Sequence, residues 1–324
     1  MATSGKRTST HRSPARFIAR ILPGAKPAAF PGFVEPCLPT LKKHVPSGDR
    51  WVHEIKHDGY RVQGHLVEGV PKLLTRRGHD WTHRMGAIAE ALAKIPANNL
   101  VMDGEVIVPD EEGRGHFSAL EAALGEGGQS HRMLFYLFDV MHLDGFDLRA
   151  AALIDRKRVL AGLLEGSKPP ILHSEHMEEA DGSVMFEHAC KLHLEGIVSK
   201  LRDAPYRSGR GDTWTKVKCF ERDEFAIVGF EPEGKHRIAA LHLARKGRRK
   251  TWTYVGKVGT GFSGSVSVEL RKTLGELKVA SAVVPLANRK RDTVAVKPTL
   301  AAKVEYRTIT SDGQLRHSTY KGLV

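Results

Sequence analysis

Lys56 lies in the run Glu54-Ile55-Lys56-His57-Asp58-Gly59-Tyr60-Arg61, where a lysine is surrounded by the groups a nucleophile needs. As an ammonium it cannot attack, since free lysine titrates near a pKa of about 10.4. Burial and neighbouring cations lower that value and release the lone pair. Glu54 and Lys56 are two apart, so in a strand they share a face. Asp58-Gly59 makes a tight turn in which glycine lets backbone approach a ligand closely. Arg61 follows within reach of a phosphate or a ribose. In isolation the same residues also read as an Asp-Gly hairpin ringed by surface charges.

Three later segments supply partners: Met102-Asp-Gly-Glu105, Glu195-Gly-Ile-Val-Ser-Lys200 and Trp214-Thr-Lys-Val-Lys218. Lys216 and Lys218 project with Trp214 from one strand face, where two cations cradle an α-phosphate and depress the Lys56 pKa. Alone, that run reads first as a strand with a solvated basic face. Asp103 and Glu105 share a face, and Glu195 opens another strand. Carboxylates converging on a polyphosphate hold Mg²⁺, although all three also suit solvated strand ends. Glu195 and Lys200 have opposite parity, so a common pocket requires a bulge at Gly196. Phe138, in Phe135-Tyr-Leu-Phe-Asp139, is either core or a half-buried ring that stacks on a base. The order and spacing of the set point to transfer of a nucleotide to Lys56.

The elements that must position these residues alternate. Strands are expected at 51–55, 62–67, 72–75, 100–108, 133–141 and 196–200, and helices at 85–94, 156–164 and 183–194. After Cys219 the texture changes to strands at 225–230, 238–244, 251–258 and 300–310 with one helix at 266–277. That pattern suggests a small closed barrel of the OB class, a frequent binder of nucleic-acid backbones. The fold class is therefore α+β, with a basic flexible arm over 1–34, a first domain over 35–219 and a barrel over 220–324. Residues 1–34 hold no acid but carry Lys6, Arg7, Arg12, Arg16, Arg20 and Lys26. They read as an arm or an Arg-rich transit peptide, with the arm preferred and 23–31 as a linker.

Composition narrows the partners. A chain of 324 residues accommodates two modest cores. Its 50 Lys+Arg against 37 Asp+Glu give a net charge of +13, which favours a polyanion such as nucleic acid. Cys37, Cys190 and Cys219 form no C-x-x-C pair, so neither a disulfide framework nor a structural zinc site is expected, and a reducing compartment is. No apolar run approaches the length of a membrane span. His57, His79 and His188 lack zinc-ligand spacing and receive no metal role.

Taken together, Glu54-x-Lys-x-Asp-Gly-x-Arg61, Asp103-Gly-Glu105, Phe138-Asp139, Glu195-Gly-Ile-Val-Ser-Lys200 and Trp214-Thr-Lys-Val-Lys218 resemble the ordered motifs of ATP-dependent DNA ligases. These are members of the covalent nucleotidyltransferase superfamily, and the likeness is to the bacterial non-homologous end-joining type. Tyr254-Val-Gly-Lys-Val-Gly-Thr-Gly-Phe262 and Ser311-Asp-Gly-Gln-Leu-Arg-His317 through Tyr320-Lys-Gly-Leu323 extend it. The resemblance implies an adenylation (nucleotidyltransferase) domain followed by an OB-fold domain. It implies that Lys56 attacks the α-phosphorus of ATP to form lysyl-AMP, that AMP passes to the 5′-phosphate of a nick, and that the 3′-hydroxyl displaces it.

Carried onto this sequence, Glu54 reads the adenine beside Ile55, Phe138 stacks on it, and Arg61 with Arg76 contacts ribose or phosphate. Glu105 and Glu195 serve ribose and a Mg²⁺ or Mn²⁺ ion, and Lys216 and Lys218 hold the α-phosphate. Asp58, Lys200, Trp214, Arg316 and Lys321 complete the expected set. The family continues past this Gly-Leu with a basic-acidic-Lys motif that orients pyrophosphate; here Val324 is last, so either the chain is trimmed or Arg316 and Lys321 must do more of that work in self-adenylylation. The expected setting is a monomer in the bacterial cytoplasm, at the nucleoid, acting on nicked or broken duplex DNA in repair and recombination, with an end-binding (Ku-like) protein as partner. Basic turns at 245–250 and 289–291 are expected to clamp the duplex. An RNA ligase, a capping guanylyltransferase and a non-enzymatic DNA-binding scaffold are the alternatives.

Overall fold

The computed structural model describes residues 14–125, 127–178, 181–247, 251–287, 289–310 and 312–324. The first thirteen residues of the expected arm, residues 248–250 of one basic turn, and Ser311 lie outside the described residues. Two compact units divide the chain, Met1–Cys219 and Phe220–Val324.

In the first unit, the large sheet takes the order Lys26–Pro27, Phe146–Asp147, Leu134–Leu143, Leu100–Ile107, Tyr60–Val67, Val70–Thr75, with Ile171–His173 alongside Leu134–Leu143. Local chemistry sets its corners. Glu68 and Gly69 both have positive φ, 52° and 79°, as do Asp144 and Gly145, 43° and 91°. Such pairs make the two-residue turns whose twist matches that of adjoining antiparallel strands. One face of this sheet packs on the helices Gly86–Leu92, Phe117–Leu124 and Leu153–Leu163 through Leu66, Ile88, Leu92, Phe135, Leu137 and Leu160.

The smaller sheet runs Cys37–Leu41, Gly209–Lys218, Gly196–Leu201, Trp51–Ile55. Val52, Phe138, Met141, Ile154, Tyr206 and Trp214 form a second apolar cluster drawn from both sheets. Helix Gly182–Lys191 starts at Asp181, whose carboxylate accepts from the Ser183 N–H at 2.9 Å, a standard N-cap.

Three expectations need correction. Residues 14–34 are not a free arm: Pro14–Ile21 is a helix with Ala19 buried, and Lys26–Pro27 pairs with Phe146–Asp147. The Pro-rich stretch reads as linker by composition, but Lys26 and Pro27 still add an edge strand, where proline is tolerated. Cys190 and Cys219 are joined in a disulfide, 29 residues apart with an S–S distance of 2.06 Å. Local spacing carries no sign of that pair, because the fold brings the last turn of a helix against the exit of a strand.

Finally, the second unit does not close. Its sheet runs Trp252–Val258, Arg237–Lys246, Glu221–Glu233, Ala301–Tyr306, Thr319–Leu323 and curls around Phe225, Phe230, Leu241, Leu270 and Val304. Register shifts at Ile227/Gly229, Glu231/Pro232 and Leu243/Ala244 bend it, as bulges do. Among the described residues its edge strands share no ladder. They meet at one corner, where the Tyr320 N–H donates to the Thr260 carbonyl at 2.9 Å.

Candidate active site

A cleft of about 720 Å³ opens between the two sheets of the first unit. The small sheet contributes Glu54, Ile55, Val198, Lys200, Trp214 and Lys216 to its wall; the large sheet contributes Arg61, Glu105 and Phe138; Lys56 and His57 lie on the segment joining them. Register explains the grouping. Glu54 pairs with Val198 and Val198 with Lys216, while Lys200 pairs with Trp214, so side chains from three strands line up on one face.

Lys56 is the junction. Its N–H donates to the Gly196 carbonyl at 2.9 Å, which places it beside the first residue of the neighbouring strand. Its Nζ lies 2.5 Å from Glu195 Oε2, and Lys218 Nζ lies 3.2 Å from Glu195 Oε1. Glu195 thus reaches Lys56 despite its parity relative to Lys200. The reversal is made at Gly196 itself, at φ 139°, rather than by a bulge, and pairing with 214–218 stays in register throughout. A Cβ at Gly196 would meet the Val217 carbonyl oxygen at 2.1 Å, and one at Gly59 would meet that of Val106 at 2.1 Å. Both positions therefore require glycine for close approach.

The walls are strongly polarised. Arg61 makes a bidentate pair with Asp103, Nε to Oδ1 at 2.6 Å and Nη2 to Oδ2 at 2.7 Å, and Tyr206 donates to the same carboxylate at 2.5 Å. Arg61 is thereby fixed, with its own pKa pushed above the ordinary arginine value against the opposing effect of burial. Glu105, cross-strand from Arg61, is raised to about 7 by burial; Lys56 and Arg61 lower it in part, while Glu195 and Asp103 add to the rise. Lys216 is lowered by burial first, then by Lys56 and Lys218.

Glu54 is buried, its pKa lowered to about 2 although burial alone opposes that; Lys157 and Lys200, both hydrogen-bonded to it, prevail. Lys200, lowered to about 8 by burial, also lies 4.3 Å from the Phe138 ring centroid and 4.1 Å from that of Trp214. Phe138 is 8% exposed, more enclosed than the half-buried ring expected of a base platform.

Arg76 is exposed at the cleft rim beside Arg77. Asp58 lies in the Lys56–Gly59 segment but does not line the cleft. Arg316 and Lys321 belong to the second unit, where Lys321 Nζ pairs with Glu305 at 2.9 Å. Sequence reading missed Lys157, which completes the Glu54 cluster from the helix Leu153–Leu163; His57, given no metal role, is stacked on Tyr136 at 4.1 Å and lowered to about 4 by burial. Lys157 carried no motif signal, because a helical Arg-Lys pair ordinarily faces solvent. Among the described residues no group of three or more His, Cys, Asp or Glu side chains could hold a metal ion, and no helix is long and apolar enough to cross a membrane.

Residues 35–218 match the ATP dependent DNA ligase domain, and residues 234–323 match the ATP dependent DNA ligase C terminal region. The chain belongs to the ATP-dependent DNA ligase family. Its bacterial relatives include the multifunctional non-homologous end joining protein LigD of Pseudomonas aeruginosa. That protein is 38% identical over 93% of this chain and 38% of its own length. The LigD protein of Mycolicibacterium smegmatis is 32% identical over 85% of this chain and 36% of its own. This ligase-family chain thus spans under two fifths of those curated relatives. Among solved structures, the ligase domain of Mycobacterium tuberculosis LigD is 30% identical, covering 89% of this chain and 94% of that one at a TM-score of 0.53. A mycobacterial DNA ligase D complexed with ATP and MES is 31% identical over the same shares, also at 0.53.

Proposed function

We propose that this chain seals nicks in duplex DNA through an AMP carried on Lys56. The observation that carries the reading is Lys56 Nζ at 2.5 Å from Glu195 in a cleft walled by Arg61, Lys200 and Lys216. The proton that Nζ must lose has Glu195 Oε2 as its nearest acceptor. Nζ then attacks the α-phosphorus of ATP; a P–N bond forms and the P–O bond to pyrophosphate breaks. Lys216, Lys218 and the rim arginines Arg76 and Arg77 are placed to stabilise the charge spread over the phosphoryl oxygens. The 5′-phosphate of the nick next displaces Lys56 from the AMP. The 3′-hydroxyl then attacks that 5′-phosphate and releases AMP.

Adenine occupies the cleft between Glu54 and Phe138 in this reading. Glu105 fits a hard divalent cation, because it is an oxygen donor with Glu195 and Asp103 adding negative potential around it. Glu195 is engaged by two lysines, so Glu105 with phosphate oxygens is the favoured holder. A bound Mg²⁺ or Mn²⁺ would neutralise charge on the phosphates during transfer. The net charge of +13 and the basic turn at 289–291 support duplex DNA as substrate. Similarity to non-homologous end joining proteins supports a role in end joining, which makes an end-binding protein the expected partner of a monomer working at the bacterial nucleoid.

Intact mass after incubation with ATP and Mg²⁺ tests the reading. Wild type should gain one AMP and Lys56→Ala none. An adduct that survives Lys56→Ala would move the nucleophile elsewhere. Wild type that neither forms an adduct nor joins a pre-adenylylated nick would leave only a DNA-binding scaffold.

A further inference from the structure

The ammonium of Lys157 is enclosed, its side chain 0% exposed, and it takes no part in the chemistry just described. Its Nζ donates to Glu54 Oε1 at 2.8 Å, to the Ser174 carbonyl at 3.0 Å and to the Phe138 carbonyl at 3.4 Å. One cation therefore ties together Glu54 and the backbone of Phe138, two residues that line the cleft, from 103 and 19 positions away.

Counting acceptor sites on Glu54 shows what remains. An ionised carboxylate offers about four lone-pair positions and no donor. Lys157 occupies one on Oε1; Lys200, at 2.8 Å, and the Ser174 hydroxyl, at 3.4 Å, occupy two on Oε2. One position is left, on a carboxylate that lines the cleft. The two lysines also keep Glu54 ionised, its pKa lowered to about 2, so at neutral pH it accepts and never donates. A base edge presenting an amine N–H satisfies that position. A base edge presenting a carbonyl oxygen there meets a lone pair instead.

We propose that Lys157 is the positioning residue for base selection: it holds Glu54 and Phe138 together so that a single acceptor faces the exocyclic amine of adenine. This rests on the reading that Glu54 and Phe138 receive the base. Breaking the buried pair leaves Glu54 anchored at Oε2 only, by Lys200 and the Ser174 hydroxyl, and removes the Lys157 link to the Phe138 carbonyl.

The test is self-adenylylation of the full chain with ATP and with ITP, in which a carbonyl replaces the amine, for wild type and Lys157→Met. Lys157→Gln serves as a second variant should methionine impair folding. The readout is the ratio of kcat/KM for ATP to that for ITP. Both nucleotides meet the same preparation, so any misfolded fraction cancels. A site built to bond a substrate N–H discriminates strongly against an analogue that lacks it, and losing that alignment should lower the ratio by about tenfold or more. KM for ATP should rise more than kcat falls.

An unchanged ratio in a variant that still forms the adduct overturns the proposal, and so does a proportional fall for both nucleotides. Glu54→Gln and Phe138→Ala separate the two layers. If they also leave the ratio unchanged, the base is not read here and both readings fail; if they lower it while the Lys157 variants do not, only the positioning role fails.

Discussion

At the scale of single residues, this molecule buries charge in pairs and leaves one acid in the cleft poorly neutralised. Asp139 and Arg156, both wholly buried, form a two-pronged bridge at 2.7 and 2.9 Å. Removing one partner strands the other charge away from water, so Asp139→Ala should lower stability by about 3–5 kcal/mol in chemical denaturation. Glu105 behaves oppositely. Its pKa in the fold, about 7, lies above the ordinary carboxylate value, so the fold favours its protonated form. The stability it contributes is present below the ordinary value and is lost as pH rises through about 7. Glu105→Gln should therefore gain thermal stability relative to wild type between about pH 5 and about pH 8, and Mg²⁺ should narrow the gap by stabilising wild type alone. A stability difference that stays flat with pH would place Glu105 in an ordinary solvated setting. Glu54, Lys56, Lys216 and Lys218 were legible from spacing because strand parity converts sequence offset into a shared face, whereas Glu195 is turned toward Lys56 at Gly196. Lys157 and the Asp103–Arg61–Tyr206 network were not, because their partners lie on other elements.

At the scale of elements, two links hold the surroundings of Lys56. Gly196 turns the chain so that Glu195 reaches Lys56, in a backbone conformation and a space that exclude a Cβ. Gly196→Ala should force apart the strands Gly196–Leu201 and Gly209–Lys218. We expect a lower melting temperature and AMP-adduct formation slowed by at least about tenfold; an adduct rate equal to wild type would show that Glu195 does not depend on this turn. The Cys190–Cys219 disulfide ties the end of the helix Gly182–Lys191 to the exit of the strand bearing Lys216 and Lys218. Closing a loop of this length is worth about 3.6 kcal/mol through the unfolded chain. Cys190→Ser should thus melt at a lower temperature than non-reduced wild type and match wild type kept in a reductant; identical melting under all conditions would mean the thiols are not joined in solution. Most strands and helices were legible to within a few residues from alternation and helical spacing. Among the exceptions, Lys26–Pro27 is an edge strand without an apolar pattern, the strand expected over 300–310 breaks at Arg307 before Thr308–Ile309 pairs with Leu315–Arg316, and Cys37–Leu41, Phe117–Leu124, Ile171–His173 and Thr319–Leu323 were not expected at all.

At the scale of the whole molecule, the excess of thirteen positive charges sets how the chain meets a polyanion. Replacing Arg289, Lys290 and Arg291 by alanine should weaken duplex binding and reduce the slope of log affinity against log salt by about 0.9 for each phosphate contact removed. An unchanged slope would assign that turn to solubility. Lys290 is already drawn to the buried Glu231 at 3.3 Å, so its share should be smaller than that of its two neighbours. By itself the sequence determined the candidate nucleophile with the order of its neighbouring motifs, the α+β class, the change of texture after Cys219 and a net charge suited to a polyanion. Each of these depends on residue type, local period or summed charge, which the chain carries without folding. Only the tertiary structure decided which cations pin Glu54, how Glu195 crosses to Lys56, that two distant cysteines join and that the second sheet remains open at its edges. Those outcomes depend on contacts between residues far apart in the chain, and no local pattern encodes which distant groups burial will bring within a few ångströms.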